Sequence, residues 1–131
     1  MLRDITVRKY MTTRVVSFTP GMSVYEAIRK MMDNKITAAL VMDEKGKLVG
    51  CLSEADCLRV AYNAAYHEDP GGTVGDYMSK DIPVIDPEIS IPTVTEMFMK
   101  QPYRNFPIVE HGRVIGVISR VDILKALVAL T

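Results

Sequence analysis

The chain has 131 residues, enough for a unit that buries about two-thirds of the surface its unfolded form exposes. Sixteen basic residues balance sixteen acidic ones and aromatics are few, which excludes a strong field for nucleic acid or an anionic membrane. The opening Met1-Leu2-Arg3-Asp4 lacks a signal-peptide apolar core and no apolar run approaches the roughly 18 residues of a membrane span, so a soluble, cytoplasmic protein is expected.

In chain order, Thr6 is placed to cap one helical turn, Val7 to Met11, followed by a short β segment from Val15 to Phe18 that Thr19-Pro20-Gly21 closes. Ser23-Val24-Tyr25-Glu26 reads as a capping box, and Val24, Ala27, Ile28, Met31 and Met32 give the helix after it one apolar face. Ala38 to Met42 and Leu48 to Leu52 form a hairpin turned at Gly46. A further helix runs from about Glu54 to Tyr66, and residues 67–72 form a linker.

The same order then returns. A slide of 67 pairs Thr6 with Thr73, Tyr10 with Tyr77, Met11 with Met78, Pro20 with Pro87, Ser23 with Ser90 and Met32 with Met99. A slide of 66 pairs Gly46 with Gly112, Gly50 with Gly116, Ser53 with Ser119 and Asp56 with Asp122. The second copy therefore predicts a turn from Thr73 through Met78, a β segment at Ile82 to Ile85, and a helix with Ile91, Val94, Phe98 and Met99 on one face. A second hairpin turns at Gly112, and a last helix starts at Arg120 and is apolar on more than one face. The fold class is mixed α+β: two β-α-β-β-α repeats, 6–66 and 73–131, related by pseudo-two-fold symmetry in one compact module.

The repeated stretches Gly50-Cys51-Leu52-Ser53-Glu54-Ala55-Asp56 and Gly116-Val117-Ile118-Ser119-Arg120-Val121-Asp122 set a hydroxyl and a carboxylate together at a helix start. One reading is a capping box, which needs no ligand. The other uses the free N–H groups and the positive helix end for a phosphate beside the serine, while the aspartate accepts both hydroxyls of a ribose diol. A guanidinium at Arg120 is placed to bond a phosphate bidentately, or is an ordinary solvated side chain.

With Tyr10-Met11-Thr12, Tyr77-Met78-Ser79, the Pro20 and Pro87 turns, and Tyr103 to Val109, these stretches resemble a tandem pair of CBS domains, the cystathionine β-synthase type regulatory repeat of the Bateman module. The resemblance covers residues 6 to about 128. It implies a non-enzymatic, regulatory module that binds an adenosine compound between repeats and signals through its shape, a homodimer or a separate effector protein. AMP or ATP leads the ligands, with S-adenosylmethionine and NAD as alternatives; no other cofactor, metal, membrane or nucleic-acid partner is implied. In the primary site it assigns Asp122 to the ribose and Ser119 to the phosphate. Arg104, Asn105, Phe106 and Pro107 would line the base or phosphate side, with Ile118, Arg120 and the crossing stretch Thr12, Thr13 and Val15. A second, weaker site would use Thr37, Ala38, Ala39, Ser53, Asp56, Lys80 and Ile82. There Leu40 replaces the usual proline and Glu54 stands where Arg120 does, which favours a less charged compound. The rival reading is a dimerisation scaffold whose serines and aspartates only cap helices.

Other residues carry less. Cys51 and Cys57 lack a redox or metal spacing and read as small apolar residues. The consecutive His67, Glu68 and Asp69 read as linker polarity, and His111 sits alone in a turn.

Overall fold

The computed structural model describes residues 4–67 and 71–130; residues 68–70 of the expected linker, including Glu68 and Asp69, lie outside the described residues. The chain divides into two compact units, and they do not coincide with the two sequence repeats. One is continuous, from Val16 to Ile82; the other is split, joining the chain up to Val15 with the chain from Pro83 onward. Each repeat thus contributes its leading segment to the unit that holds the bulk of the other.

The continuous unit contains β1 (Ser17–Phe18), α1 (Val24–Asn34), β2 (Ala38–Met42), β3 (Leu48–Ser53), α2 (Glu54–His67) and the single turn α3 (Val74–Tyr77). Its sheet runs β1-β2-β3, parallel then antiparallel. Phe18, Ala27, Met31, Ala39, Val41, Leu52 and Val74 form its core, so the crossing segment delivers a core residue, Val74. The split unit contains a 3-10 turn at Val7–Lys9, α4 (Ile91–Lys100), the hairpin of β4 (Asn105–Glu110) and β5 (Arg113–Ser119), and α5 (Arg120–Val128). Val7 enters its core beside Ile85, Ile91, Val94, Phe98, Phe106, Ile108, Ile118, Ile123 and Ala126.

The expected strand at Ile82 to Ile85 shrinks to one bridge, Ile85 to Ile108. The reason is a missing donor. In the continuous unit, Leu40 N–H bonds the Val16 carbonyl at 3.3 Å and starts the ladder of β1. Pro107 occupies the equivalent place and has no N–H to give, so only Ile85 N–H to Pro107 O and Val109 N–H to Ile85 O, both 2.9 Å, remain.

The expected capping box at Ser23 does not form: its side chain makes no cap hydrogen bond, and Glu26 pairs with Lys30 at 3.6 Å instead. Ser23 is bridged to Thr73, and Val24 N–H, an orphan donor of the first turn, bonds the carbonyl of Gly72 at 3.0 Å. The mirror contact links Thr6 to Ser90, with Ile91 N–H on Ile5 O at 3.0 Å, yet there Ser90 also caps Thr93 N–H. Thr73 and Asp76 form a true capping box, and the backbone and hydroxyl of Thr73 hold the Asp76 carboxyl below its ordinary range.

The hairpin turns follow their chemistry. Asp43 accepts from Lys45 and Lys47 N–H at 2.9 Å each while Gly46 takes φ +79°, and His111 and Gly112 are both left-handed at φ +52° and +78°. The helix faces are narrower than the periodicity predicts. Met31 is buried, but Met32 is 66 % and Met99 77 % exposed, so two members of the expected apolar faces lie outside the core. Leu124 and Val128 of α5 are exposed as well, in keeping with a helix apolar on more than one face.

Candidate functional site

β5 delivers Ser119 to the N-cap of α5, and Asp122 follows three residues on, with only 8 % of its surface exposed. The Asp122 carboxylate accepts from Ser119 N–H at 2.9 Å, and Ser119 Oγ accepts from Asp122 N–H at 3.2 Å. This is the reciprocal capping box, complete in both halves. A third group joins it. Thr12, on the crossing segment, exchanges backbone hydrogen bonds with Val117 at 2.8 and 2.9 Å, which sets its hydroxyl 3.4 Å from one Asp122 oxygen and 3.5 Å from the other.

Gly116 makes that crossing feasible. A Cβ there would lie 2.9 Å from both the Thr12 carbonyl and Met11 Sδ, closer than real contacts allow. Gly50 answers to the same need: a Cβ would meet Met78 Sδ at 2.5 Å and the Ser79 carbonyl at 3.0 Å. Gly116→Ala is therefore expected to cost about 1–3 kcal/mol of stability as the Thr12 strand is pushed off. Gly21→Ala, where a Cβ meets nothing within 4 Å, should stay within roughly 0.5 kcal/mol. Urea denaturation of the two variants beside the parent checks this.

Of the other residues expected at this site, Thr12, Thr13, Arg104 and Arg120 are exposed and Val15 and Asn105 are half-buried. Arg120 N–H bonds the Arg104 carbonyl at 3.2 Å, which brings two guanidinium-bearing residues to the start of α5. Three other residues expected at this site have buried side chains. Phe106 and Ile118 are 0 % exposed and Pro107 is buried. The Phe106 ring lies 4.7 Å from Phe98 and 5.6 Å from Tyr103, within the core of the split unit.

The counterpart at α2 has the same frame. Ser53 N–H and Oγ both donate to Asp56 at 2.9 Å, Asp56 N–H returns to Ser53 Oγ at 3.2 Å, and Asp56 is likewise 8 % exposed. Glu54 N–H bonds the Thr37 carbonyl at 2.9 Å, as Arg120 does Arg104. Arg59 stands 3.7 Å from the Asp56 carboxylate. Ser79 pairs with Cys51 where Thr12 pairs with Val117; Lys80 is exposed, Thr37, Ala38 and Ile82 are half-buried, and Ala39 is in the core. The charge differs most: a carboxylate, Glu54, sits where the other unit has Arg120.

Cys51 and Cys57 are half-buried, with Cys57 Sγ 3.6 Å from Met31 Sδ. Burial first, and the Asp56 carboxylate second, push the Cys51 thiol up to about 11. Cys57 moves the same way for the same causes, Glu54 adding to them. A thiol so shifted offers roughly a hundredfold less thiolate at pH 8 than an ordinary one. Cys51 is thus expected to react slowly with a thiol-directed disulfide reagent in the folded protein and rapidly in urea, as absorbance kinetics would record.

Among the described residues no group of three or more His, Cys, Asp or Glu is placed to hold a metal ion, and no helix is long and apolar enough to cross a membrane. An ion-paired residue that sequence reasoning overlooked is Arg8, which bonds Glu88 at 2.9 Å and also Glu110.

A family profile described as CBS domain matches residues 7–63 and again 74–129. Over 122 residues the chain is 25 % identical to the "Uncharacterized 17.7 kDa protein in bps2 3'region" of Acidianus ambivalens, covering 92 % of this chain and 72 % of that one. It is 29 % identical to the A-adding tRNA nucleotidyltransferase of Aquifex aeolicus over 122 residues, 93 % of this chain but 14 % of the enzyme. In three dimensions it is similar to CBSX2 crystallised in complex with AMP, with a TM-score of 0.84, 25 % identity, and 95 % and 97 % of the two chains covered.

Proposed function

Because the chain belongs to the CBS domain family and carries the domain twice, we propose that it is a regulatory module that binds an adenine nucleotide, AMP or ATP first, and carries out no reaction of its own. One observation supports this most: a nearly buried carboxylate, a serine and the start of a nine-residue helix meet a threonine brought in from the other repeat, with Arg104 and Arg120 beside them. The likeness to CBSX2, which was crystallised with AMP, supports the ligand class.

In this reading Asp122 takes the ribose hydroxyls with its carboxylate oxygens, one of which keeps its bond to Ser119 N–H. Ser119, at the positive end of α5, receives the phosphate, and Arg120 adds a bidentate, charge-assisted clamp. Thr12 belongs to one repeat and Asp122 to the other, so a ligand touching both favours the arrangement in which the crossing segment is seated. Its output is a population shift, limited by how much more tightly it binds that arrangement. The shift would be passed to a second copy or to a separate effector protein. The Asp56 site, with Glu54 repelling phosphate, takes a less charged adenosine compound, S-adenosylmethionine among them.

The scaffold reading draws on a different observation: both capping boxes are complete by themselves, and Met32, Leu58, Met99, Leu124 and Val128 expose apolar surface on helices. A thermal-shift panel of AMP, ADP, ATP, S-adenosylmethionine, NAD and GTP on nucleotide-stripped protein separates the two. The proposal expects a rise of several degrees with an adenosine compound, since ligand at 100 times its Kd adds about 2.7 kcal/mol. No rise with any of them, on folded protein, gives the case to the scaffold.

A further inference from the structure

We propose that Arg8 is a positioning residue, an electrostatic latch that seats the crossing segment on the split unit and so holds Thr12 over Asp122. The inference rests on the nucleotide reading only for its effect on affinity. The geometry runs through one short stretch of chain. Val7 N–H bonds Ile89 O at 2.9 Å and Arg8 N–H bonds Pro87 O at 3.2 Å, fixing the segment to the loop before α4. The Arg8 side chain then spans from that loop to the end of β4, bonding Glu88 and Glu110. Met11 N–H closes on Val7 O at 2.8 Å, and the next residue, Thr12, is locked to Val117 and faces Asp122.

The continuous unit provides the comparison. Its crossing segment makes the same backbone exchange, Ser79 with Cys51 at 2.9 Å in both directions. The residue equivalent to Arg8 by the 67-residue slide is Gly75, which has no side chain and is held by its N–H on Pro20 O at 2.9 Å. The loop position equivalent to Glu88 is Gly21. One crossing thus has a glycine where the other places a guanidinium clasped by two carboxylates, partly exposed and open to screening by salt. Ionic strength should thus loosen Thr12 and leave Ser79 alone.

The test is amide hydrogen exchange on the full chain, comparing the parent with Arg8→Ala and Arg8→Lys at low and high sodium chloride, with AMP titrations in an Asp56→Ala background. The expected result is severalfold faster exchange at Met11, Thr12 and Val117 in Arg8→Ala, unchanged exchange at Ser79 and Cys51, partial recovery in Arg8→Lys, and the parent approaching Arg8→Ala as salt rises. AMP affinity at the remaining site should fall severalfold in step. Unchanged exchange at Thr12 in Arg8→Ala overturns the latch, and so does equal acceleration at Ser79, which would mean general destabilisation. Faster exchange with unaltered AMP affinity overturns the coupling to the site. If the parent binds no AMP, the nucleotide reading fails, and the exchange pattern decides the latch by itself.

Discussion

Asp122→Ala is expected to abolish the thermal shift given by AMP or ATP while leaving the protein folded. Two separate losses are involved, and their sizes keep them apart. The carboxylate caps Ser119 N–H, and losing that half of the box should cost about 0.5–2 kcal/mol with or without ligand. The ligand-dependent part, about 2.7 kcal/mol at 100 times the Kd, should vanish altogether. A scaffold would show the first loss only. Asp56→Ala is the internal comparison, because it removes an equivalent cap with the same 2.9 Å bond but leaves the arginine-flanked site intact. If Asp122→Ala lowers the midpoint yet keeps the full AMP response, the assignment of this carboxylate to the ribose is refuted.

Phe106→Ala should be among the most damaging single changes in the split unit. The side chain is fully buried and packs against Phe98, and truncating a core phenylalanine typically costs about 3–5 kcal/mol through lost transfer energy and the cavity left behind. Urea denaturation should show the midpoint falling with little change in slope. Phe106→Leu sharpens the point, because it keeps most of the apolar volume while discarding the aromatic face. With the ring in the core, Phe106→Leu should retain nucleotide affinity; a ring stacked on a base would lose it. Affinity lost in a folded Phe106→Leu protein would return this residue to the lining of the site.

The burial of Phe106 illustrates what sequence could and could not disclose. The Ser53–Asp56 and Ser119–Asp122 pairs were legible because their geometry is local: three residues at a helix start determine it. The two hairpins were legible from their glycines for the same reason. The crossing of the leading segments is not a local matter. Gly50 and Gly116 recur in the pattern, but that they make way for Ser79 and Thr12 depends on backbone brought from about 30 and 100 residues away in sequence. Ser23 shows the converse error. Its capping signature is sound locally, yet a bridge to Thr73 supplies the helix start with another acceptor. Arg8 left no signal at all, since an arginine within a short turn gives no hint of Glu88 and Glu110.

The split of the chain bears on the order in which the protein comes into being. Residues Val16 to Ile82 carry every contact of one unit in a single uninterrupted run, so that unit can be completed as soon as the run has been synthesised. The other cannot begin to close its core until Pro83 onward has emerged, because Val7 must wait for Ile91, Phe106 and Ile118. Closing it joins stretches separated by roughly 70 residues of chain, a loop-closure cost that grows slowly with length but delays the contacts that reward it. The nascent chain therefore spends an interval with Val7 to Thr12 synthesised and their docking surface still missing. The Asp122 constellation, which needs both Thr12 and Ser119, cannot exist until the stretch through Asp122 has been made, well after the continuous unit is complete.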